Sequence, residues 1–205
     1  MSIPKTHYFS RTPEVASKPH TVRLRLRDGI ELSLQTDRGV FAYRGVDLGT
    51  EVLLREAPPP PPSGELLDLG CGYGPIAIVL ARRSPEAHVW AVDVNDRAVE
   101  LTAANAVAAG VKNVTACRPE DVPESVRFAA IYSNPPVRVG KAPLHELLET
   151  WLPRLEPGCP AYLVVQRNLG ADSLAKWLAE QGYPVRRVKA KKGYRVLEAG
   201  PRPLE

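Results

Sequence analysis

Three stretches of this chain carry residues whose types and spacing could do chemistry. The first is the glycine-rich run Asp68-Leu69-Gly70-Cys71-Gly72-Tyr73-Gly74, which lies between two apolar segments. Alternating glycines let a backbone turn tightly and approach a ligand without an intervening Cβ, and a following helix would aim its free N–H groups at the turn. The run predicts a ligand-binding loop between a strand and a helix, although a purely structural turn can share this pattern.

The second stretch ends at Asp93, which closes an apolar run and lies 23 residues beyond Gly70. In open α/β sheets the ligand lies beyond the carboxyl ends of the strands, and an acid at about this spacing accepts hydrogen bonds from both hydroxyls of a ribose. Asp93 could instead cap the next helix, but Asn95 and Asp96 are available for that role. The loop and the acid together predict a nucleotide-like cofactor without selecting one.

The third stretch is Asn134-Pro135-Pro136, which follows an apolar run ending at Ser133. The Asn134 side-chain oxygen and the Pro135 carbonyl are acceptors, so each could take one N–H of a substrate NH2 group. These contacts would turn the nitrogen lone pair out of its π system towards an electrophilic methyl group. With the first two features, this stretch predicts amine methylation from S-adenosylmethionine; the alternative is a turn made by two prolines.

The elements that must position these residues alternate along the chain. Strand-like and helix-like segments follow one another from Glu65 to Gln181, and two more strands lie between Val185 and Ala199. This order predicts an α/β fold with a Rossmann-like, doubly wound, mostly parallel seven-stranded sheet and an antiparallel C-terminal hairpin strand. Alternating residues on both sides of Asp28-Gly29 predict a small N-terminal β-hairpin element.

A run of five prolines at residues 58–62 divides the chain in this interpretation. Such a run is stiff, extended and without N–H donors, so it indicates a spacer. We predict an N-terminal arm and β-hairpin element over residues 1–57, a proline-rich linker over 58–64 and the catalytic domain over 65–205. An aromatic arm, His7-Tyr8-Phe9, opens the first of these.

Composition and charge narrow the class of protein. The chain has 205 residues, 44% of them hydrophobic, so it can bury a sizeable core, and it shows neither a signal peptide nor a membrane span. Its three cysteines and four histidines are dispersed, so we expect a cytoplasmic enzyme without a metal. The net charge of +4 is concentrated at the two ends of the chain, which favours either a polyanionic partner or a solvated basic face.

In combination, these features resemble class I S-adenosylmethionine-dependent methyltransferases of the "methyltransferase small" type, a group that includes bacterial guanine-N2 methyltransferases of ribosomal RNA. The resemblance covers most of the chain and is to short members with a single catalytic domain. It is carried by His7 to Ser10, Thr36 to Phe41, Val46 to Thr50, Leu67 to Ile76, Ser133 to Lys141 and Lys191 to Arg195.

The resemblance implies a role for each matched position. Asn134, Pro135 and Pro136 would hold the target amine. Many relatives place Phe or Tyr directly after Asn-Pro-Pro, whereas this chain has Val137. The target ring would then be clamped by an aliphatic face, by an aromatic residue such as Phe41 or Tyr8, or by the guanidinium group of Arg138. The residues implied to bind S-adenosylmethionine are Asp68, Gly70, Cys71, Gly72, Gly74, Asp93, Val94, Asn134 and one or both of Glu120 and Asp121.

The expected function is therefore N-methylation of an exocyclic amine of an RNA base, with guanine N2 in ribosomal RNA as the favoured case. The alternatives are protein glutamine N5-methylation, small-molecule amine methylation and a catalytically silent RNA-binding module. A core position for Phe41 and a solubilising role for the C-terminal cations also stay open. The predicted substrate contacts are Phe41, Val137, Arg138, Lys141, Lys191, Lys192 and Arg195.

Overall fold

The computed structural model describes residues 15–202, so the predicted aromatic arm at His7-Tyr8-Phe9 lies outside the described residues. The described part of the chain folds into strands and helices that largely alternate. In chain order they are β1 (His20–Arg25), β2 (Glu31–Thr36), α1 (Leu48–Glu56), β3 (Ser63–Leu69), α2 (Pro75–Arg83), β4 (Glu86–Val92), α3 (Asp96–Ala108), β5 (Val114–Cys117), β6 (Ala130–Ser133), α4 (Lys141–Trp151), β7 (Ala161–Gln166), α5 (Ala171–Glu180), β8 (Val185–Lys191) and β9 (Tyr194–Ala199).

Seven of these strands form one sheet in the order β5-β4-β3-β6-β7-β9-β8. The strands from β5 to β7 in this order are parallel, while β9 pairs antiparallel with both β7 and β8. The predicted Rossmann-like fold with an antiparallel C-terminal hairpin is confirmed. Strand order changes direction between β3 and β6, and a crevice opens beyond the carboxyl ends of strands at such a point.

The predicted N-terminal hairpin is also confirmed, as a separate two-stranded antiparallel sheet of β1 and β2. Its apolar face, which includes Val22, Leu24 and Leu34, is buried in the same hydrophobic cluster as residues of α2. Asn105 of α3 fixes the hairpin further, since its side chain accepts from the Gln35 backbone N–H at 2.8 Å and donates to the Gln35 carbonyl at 2.7 Å. The hairpin and the main sheet therefore share one core across the proline run.

The two faces of the main sheet are covered differently. Leu66 faces the cluster that holds α1, α2 and α3, and Leu67 faces the cluster under α4 and α5. The connection from β5 to β6 forms only a short 3-10 turn at Pro119–Asp121. Near the β5 edge of the sheet, the face that carries Leu67 is polar. There the Glu65 carboxylate accepts from Trp90 Nε1 at 2.6 Å and lies 2.7 Å from His88 Nδ1.

Candidate functional site

The glycine-rich loop joins β3 to α2 through backbone conformations that favour glycine. Gly70, Gly72 and Gly74 have φ angles of +78°, +59° and +87°. Gly70 lines a cavity, and a Cβ built there would meet no other atom within 4 Å. A Cβ on Gly74 would instead lie 2.8 Å from Thr102 Cγ2. The first glycine thus exposes backbone to the cavity, and the third lets the loop approach α3.

Helix α3 holds this loop from behind with two side chains that the sequence analysis missed. Thr102 Oγ1 donates to the Gly72 carbonyl at 2.9 Å, and Asn105 Nδ2 donates to the Tyr73 carbonyl at 2.8 Å. Both side chains are buried in an alanine-rich helix. The sequence did contain a signal for these contacts, namely two polar residues spaced three apart on the apolar face of a predicted helix. Buried polar groups need hydrogen-bond partners, so such a pair indicates contacts with a neighbouring segment.

Asp93 follows β4 at the rim of the same cavity. Its Oδ2 accepts from the Gly72 N–H at 2.9 Å and its Oδ1 accepts from the Asn95 N–H at 3.0 Å. Burial raises the pKa of Asp93, while these backbone donors oppose the rise. Asn95 caps α3 by accepting from the Arg97 N–H at 3.0 Å, so Asp93 is not used as the helix cap. Each carboxylate oxygen retains acceptor capacity for a ligand.

Asp68 lies beneath the loop and is fully buried. Its Oδ2 accepts from the Ala77 N–H of α2 at 2.9 Å, whereas its Oδ1 has no hydrogen-bond partner within the described residues. Burial, reinforced by the nearby charge of Asp93, raises the pKa of Asp68 to about 8. The carboxyl group therefore ties the end of β3 to the start of α2 and carries little negative charge at neutral pH.

A cavity of about 670 Å³ lies in front of these strand ends. This volume is in the range of small-molecule sites. Its walls come from the loop between β2 and α1, the ends of β3 and β4, the residue that opens the 3-10 turn after β5, the Asn-Pro-Pro stretch, and single residues of α3 and α4. They include Arg38, Gly39, Val40, Phe41, Tyr43, Leu69, Gly70, Val92, Asp93, Val94, Pro119, Asn134, Pro135, Pro136 and Leu147.

The loop between β2 and α1 is held over the cavity by contacts that the sequence analysis did not foresee. Asn95 Nδ2 donates to the Gly39 carbonyl at 2.8 Å, so the cap of α3 also anchors this loop. Near its other end, the Tyr73 hydroxyl donates to the Gly45 carbonyl at 3.5 Å. The glycine-rich loop and α3 therefore position a wall of the cavity that comes from the N-terminal part of the chain.

The residues predicted to bind S-adenosylmethionine fall into four groups around this site. Gly70, Asp93, Val94 and Asn134 line the large cavity, and Cys71 and Gly72 line a small recess that adjoins it. Asp68 and Gly74 support the loop from below. Glu120 and Asp121 directly follow the cavity residue Pro119 and contact Arg118, whose Nε lies 2.9 Å from Glu120 and whose N–H donates to Asp121 at 3.2 Å.

These residues fit S-adenosylmethionine. Gly70 presents open backbone to the cavity, Asp93 offers two acceptors at the rim, and apolar side chains form much of the wall. The unpartnered Oδ1 of Asp68 gives the site a buried carboxyl group that a cationic ligand nearby would favour in its ionised form. The individual roles of these residues stay predictions.

Asn134 lies at the carboxyl end of β6, and the NH2 group of its side-chain amide donates two hydrogen bonds. Its Nδ2 donates to Asp47 Oδ2 at 2.9 Å and to Thr50 Oγ1 at 3.1 Å. Both amide hydrogens are therefore used, and Oδ1 is the atom left to accept. The Pro135 carbonyl accepts from the Val137 N–H at 2.8 Å, so one of its two lone pairs remains for a ligand.

The predicted substrate contacts near Asn134 fall in different environments. Phe41 is 44% exposed and lines both the cavity and the recess, so the alternative that it is a core aromatic is wrong. Val137 packs against the hydrophobic cluster under α4 and α5. Arg138 and Lys141 are exposed immediately after the Asn-Pro-Pro stretch.

The predicted cations of the C-terminal hairpin are largely paired with acids of the same chain. Lys191 forms an ion pair with Glu56, and Arg195 forms one with Asp172. Lys192 is exposed in the turn between β8 and β9, where its φ angle is +49°. Contacts of these three residues with a substrate stay predictions.

Two further expectations concern metals and membranes. Within residues 15–202, no group of three or more His, Cys, Asp or Glu side chains is arranged to hold a metal ion. Over the same residues, no helix combines the length and apolar character needed to cross a membrane.

Comparisons with known proteins give a consistent picture. The family model for the methyltransferase small domain matches residues 31–198. The Bacillus subtilis "Uncharacterized protein YbxB" is 36% identical over 196 residues, which cover 94% of this chain and 97% of that protein. "Ribosomal RNA small subunit methyltransferase C" of Cronobacter sakazakii is 35% identical over 120 residues, which cover 58% of this chain and 35% of that protein.

Among solved structures, the T. thermophilus 16S rRNA N2 G1207 methyltransferase (RsmC), in complex with AdoMet and guanosine, superposes with a TM-score of 0.77. The two chains are 28% identical, and the match covers 93% of this chain and 52% of that one. This chain thus spans nearly all of YbxB but only about a third to a half of the ribosomal RNA methyltransferases that it matches.

Proposed function

The chain belongs to the methyltransferase small domain family and is an S-adenosylmethionine-dependent methyltransferase, and on that premise we propose that it methylates an exocyclic amine of an RNA base, namely guanine N2 in ribosomal RNA. The observation that carries the proposal is the orientation of Asn134, whose Nδ2 is engaged and whose Oδ1 is left to accept. Relatives named for ribosomal RNA methylation, one of them bound to guanosine, support the choice of substrate.

The cofactor would be held by Asp93, by the backbone at Gly70 and by Val94 along the cavity wall. When bound, S-adenosylmethionine supplies an electrophilic methyl group on a sulfonium centre. The chain's own contribution begins with Asp93, whose two oxygens are already fixed by backbone N–H groups and can accept from ribose hydroxyls without reorganising. Apolar side chains around the cavity exclude water from the reacting nitrogen.

The target amine would lie between Asn134 Oδ1 and the Pro135 carbonyl, each of which accepts one of its N–H groups. The amine nitrogen of guanine is a weak nucleophile because its lone pair is delocalised into the ring. Two in-plane acceptors turn that lone pair out of the ring plane and stabilise the positive charge that the nitrogen gains in the transition state. Asn134 Oδ1 and the Pro135 carbonyl are amide oxygens that accept hydrogen bonds without taking up a proton, so the proton that the methylated nitrogen must lose passes to solvent as the base leaves the site.

An aromatic platform for the target base is supplied by Phe41 in this proposal. Its exposed ring lines both the cofactor cavity and the recess that also contains Asn134. This position lets Phe41 stack on a base that has been turned out of its strand, as flipped or unpaired bases require. It would replace the aromatic residue that many relatives carry where this chain has Val137.

Exposed cations around the cavity entrance would contact RNA phosphates. Arg38 lines the cavity, and Arg44, Arg138 and Lys141 are exposed on segments that adjoin it. Lys192 extends this set towards the C-terminal hairpin, while Lys191 and Arg195 would first have to leave their carboxylate partners. We therefore expect substrate binding to weaken steeply with salt.

The test is transfer of radiolabelled methyl groups from S-adenosylmethionine to ribosomal subunits, naked ribosomal RNA, tRNA and total protein in parallel. We expect label in ribosomal RNA, recovered as N2-methylguanosine after digestion, and a loss of about 100-fold or more in Asn134→Ala. Lys112 is exposed just before β5, at the amino ends of the parallel strands and away from the cavity, so Lys112→Ala should be as active as the wild type. Label confined to protein would establish glutamine methylation instead, and cofactor binding with no labelled acceptor would refute the RNA substrate.

A further inference from the structure

We propose that Asp47, assisted by Thr50, is a positioning residue that holds the Asn134 amide with its oxygen facing the substrate. The inference rests on the proposed function, since it assigns the cause of the Asn134 orientation on which that function depends. Neither residue belongs to the strands that form the cofactor site, because both lie at the start of α1 in the N-terminal part of the chain.

The orientation of an asparagine side chain is not fixed by its own structure. Rotation by half a turn about the Cβ–Cγ bond exchanges an acceptor oxygen for an NH2 donor of almost the same shape. Only the oxygen can accept an N–H of the target amine, whereas a rotated amide would present its own N–H groups to it. Catalysis at this site therefore needs something that discriminates between the two ends.

The groups around Nδ2 supply that discrimination. An ionised carboxylate is an acceptor only, so Asp47 Oδ2 at 2.9 Å selects the NH2 end of Asn134. Thr50 Oγ1 accepts the second amide hydrogen at 3.1 Å. A rotated amide would place its oxygen against the carboxylate, replacing a charge-assisted hydrogen bond with repulsion between two oxygens. The negative charge beside Nδ2 also polarises the amide and makes Oδ1 a stronger acceptor.

Asp47 is itself held by the helix that it caps. The same Oδ2 accepts from the Gly49 N–H at 2.7 Å and from the Thr50 N–H at 3.3 Å. A Cβ on Gly49 would lie 2.8 Å from Asp47 Oδ2 and 2.8 Å from Tyr194 Cε1, so only glycine lets the carboxylate and the tyrosine ring approach together. The spacing Asp-x-Gly-Thr thus has a geometric reason: a cap, a close approach and a second anchor for the amide.

Two substitutions of Asp47 separate its capping role from its contact with Asn134. Ser and Asn both cap helices well, so neither should unwind α1. Asp47→Ser is too short to keep the contact, and we expect kcat to fall about 10- to 100-fold with KM and cofactor affinity within about twofold of the wild type. Asp47→Asn retains an acceptor oxygen, which capping of α1 keeps beside Nδ2, but it lacks the negative charge, so it should recover only part of that loss. Thr50→Val, which keeps the shape but removes the acceptor, should reduce kcat about tenfold.

A second measurement can be made without knowing which molecule accepts the methyl group. The side-chain NH2 signals of Asn134, assigned by their disappearance in Asn134→Ala, are expected to show slow hydrogen exchange in a ¹⁵N-labelled wild type. Asp47→Ser should raise that exchange rate at least tenfold, and Asp47→Asn should not. Exchange and kcat both unchanged in Asp47→Ser would overturn the inference, as would equal losses of kcat, cofactor affinity and melting temperature in both Asp47 variants. An active Asn134→Ala would instead overturn the proposed function.

Discussion

Replacing Asp68 with Asn should remove a specific pH dependence from the stability of the fold. Asp68 is fully buried, donates nothing when ionised and has one oxygen without a partner in the described residues. These conditions keep its proton in the folded state, with a pKa of about 8 against 3.8 for the ordinary group. Asn has the same shape as the neutral acid and can still accept from the Ala77 N–H.

The size and sign of the effect follow from proton linkage. Between pH 3.8 and about 8 the folded state holds a proton that the unfolded chain has released, so the free energy of unfolding falls as pH rises. The contribution is fully present below the lower value and is lost as pH rises through the higher one. The slope is about 1.4 kcal/mol per pH unit, so the wild type should lose about 2 kcal/mol relative to Asp68→Asn between pH 5.5 and 7.0.

Urea unfolding of both proteins at several values across this pH interval measures the difference directly. Subtraction removes the titrating groups that do not interact with Asp68, whereas Asp93 stays part of the difference because its charge contributes to the pKa of Asp68. Glu124→Gln, at an exposed carboxylate, should track the wild type at every pH. A pH-independent difference between wild type and Asp68→Asn would refute the reasoning, and a wild type that gains relative stability with rising pH would show that Asp68 is ionised in the fold.

Two further predictions concern the glycine-rich loop and its acid. Gly74→Ala should lower the free energy of unfolding by about 2 kcal/mol or more, since it combines a left-handed conformation with overlap on Thr102; Gly110→Ala, at a similar φ of +70° with no atom near its Cβ, should show only the backbone part in the same urea titration. Asp93→Asn should weaken S-adenosylmethionine binding about 10- to 100-fold by calorimetry, because its NH2 end must oppose the Gly72 or the Asn95 N–H; unchanged affinity would contradict the role assigned to Asp93.

Much of the fold could be predicted from the sequence because its signals are local. The glycine-rich run, the apolar strands and the helix ends each follow from a few neighbouring residues, and the carboxyl ends of parallel strands then meet at one edge of the sheet. That reasoning predicts that Gly70, Asp93 and Asn134 meet at one site, and all three line the same cavity.

The supporting contacts could not be predicted because they join distant parts of the chain. Asp47 lies 87 residues before Asn134, and Asn105 lies 70 residues after the backbone group of β2 that it binds. The exposure of Phe41 depends on how the loop between β2 and α1 is tied to Asn95, which no local pattern reveals. The pairing of Lys191 with Glu56 likewise requires β8 to lie beside α1. The basic stretch taken alone therefore overestimates how many of its cations are available to bind RNA.

The distance in sequence between Asp47 and Asn134 has a consequence for synthesis on the ribosome. At about 5–20 residues per second, the segment that carries Asp47 emerges roughly 4–17 s before its asparagine partner. During that interval the apolar face of the β1–β2 hairpin also waits for α2 and α3, against which it will pack. We therefore expect this protein to depend most on chaperones, and to be most prone to aggregate, while only the N-terminal part of the chain has been synthesised.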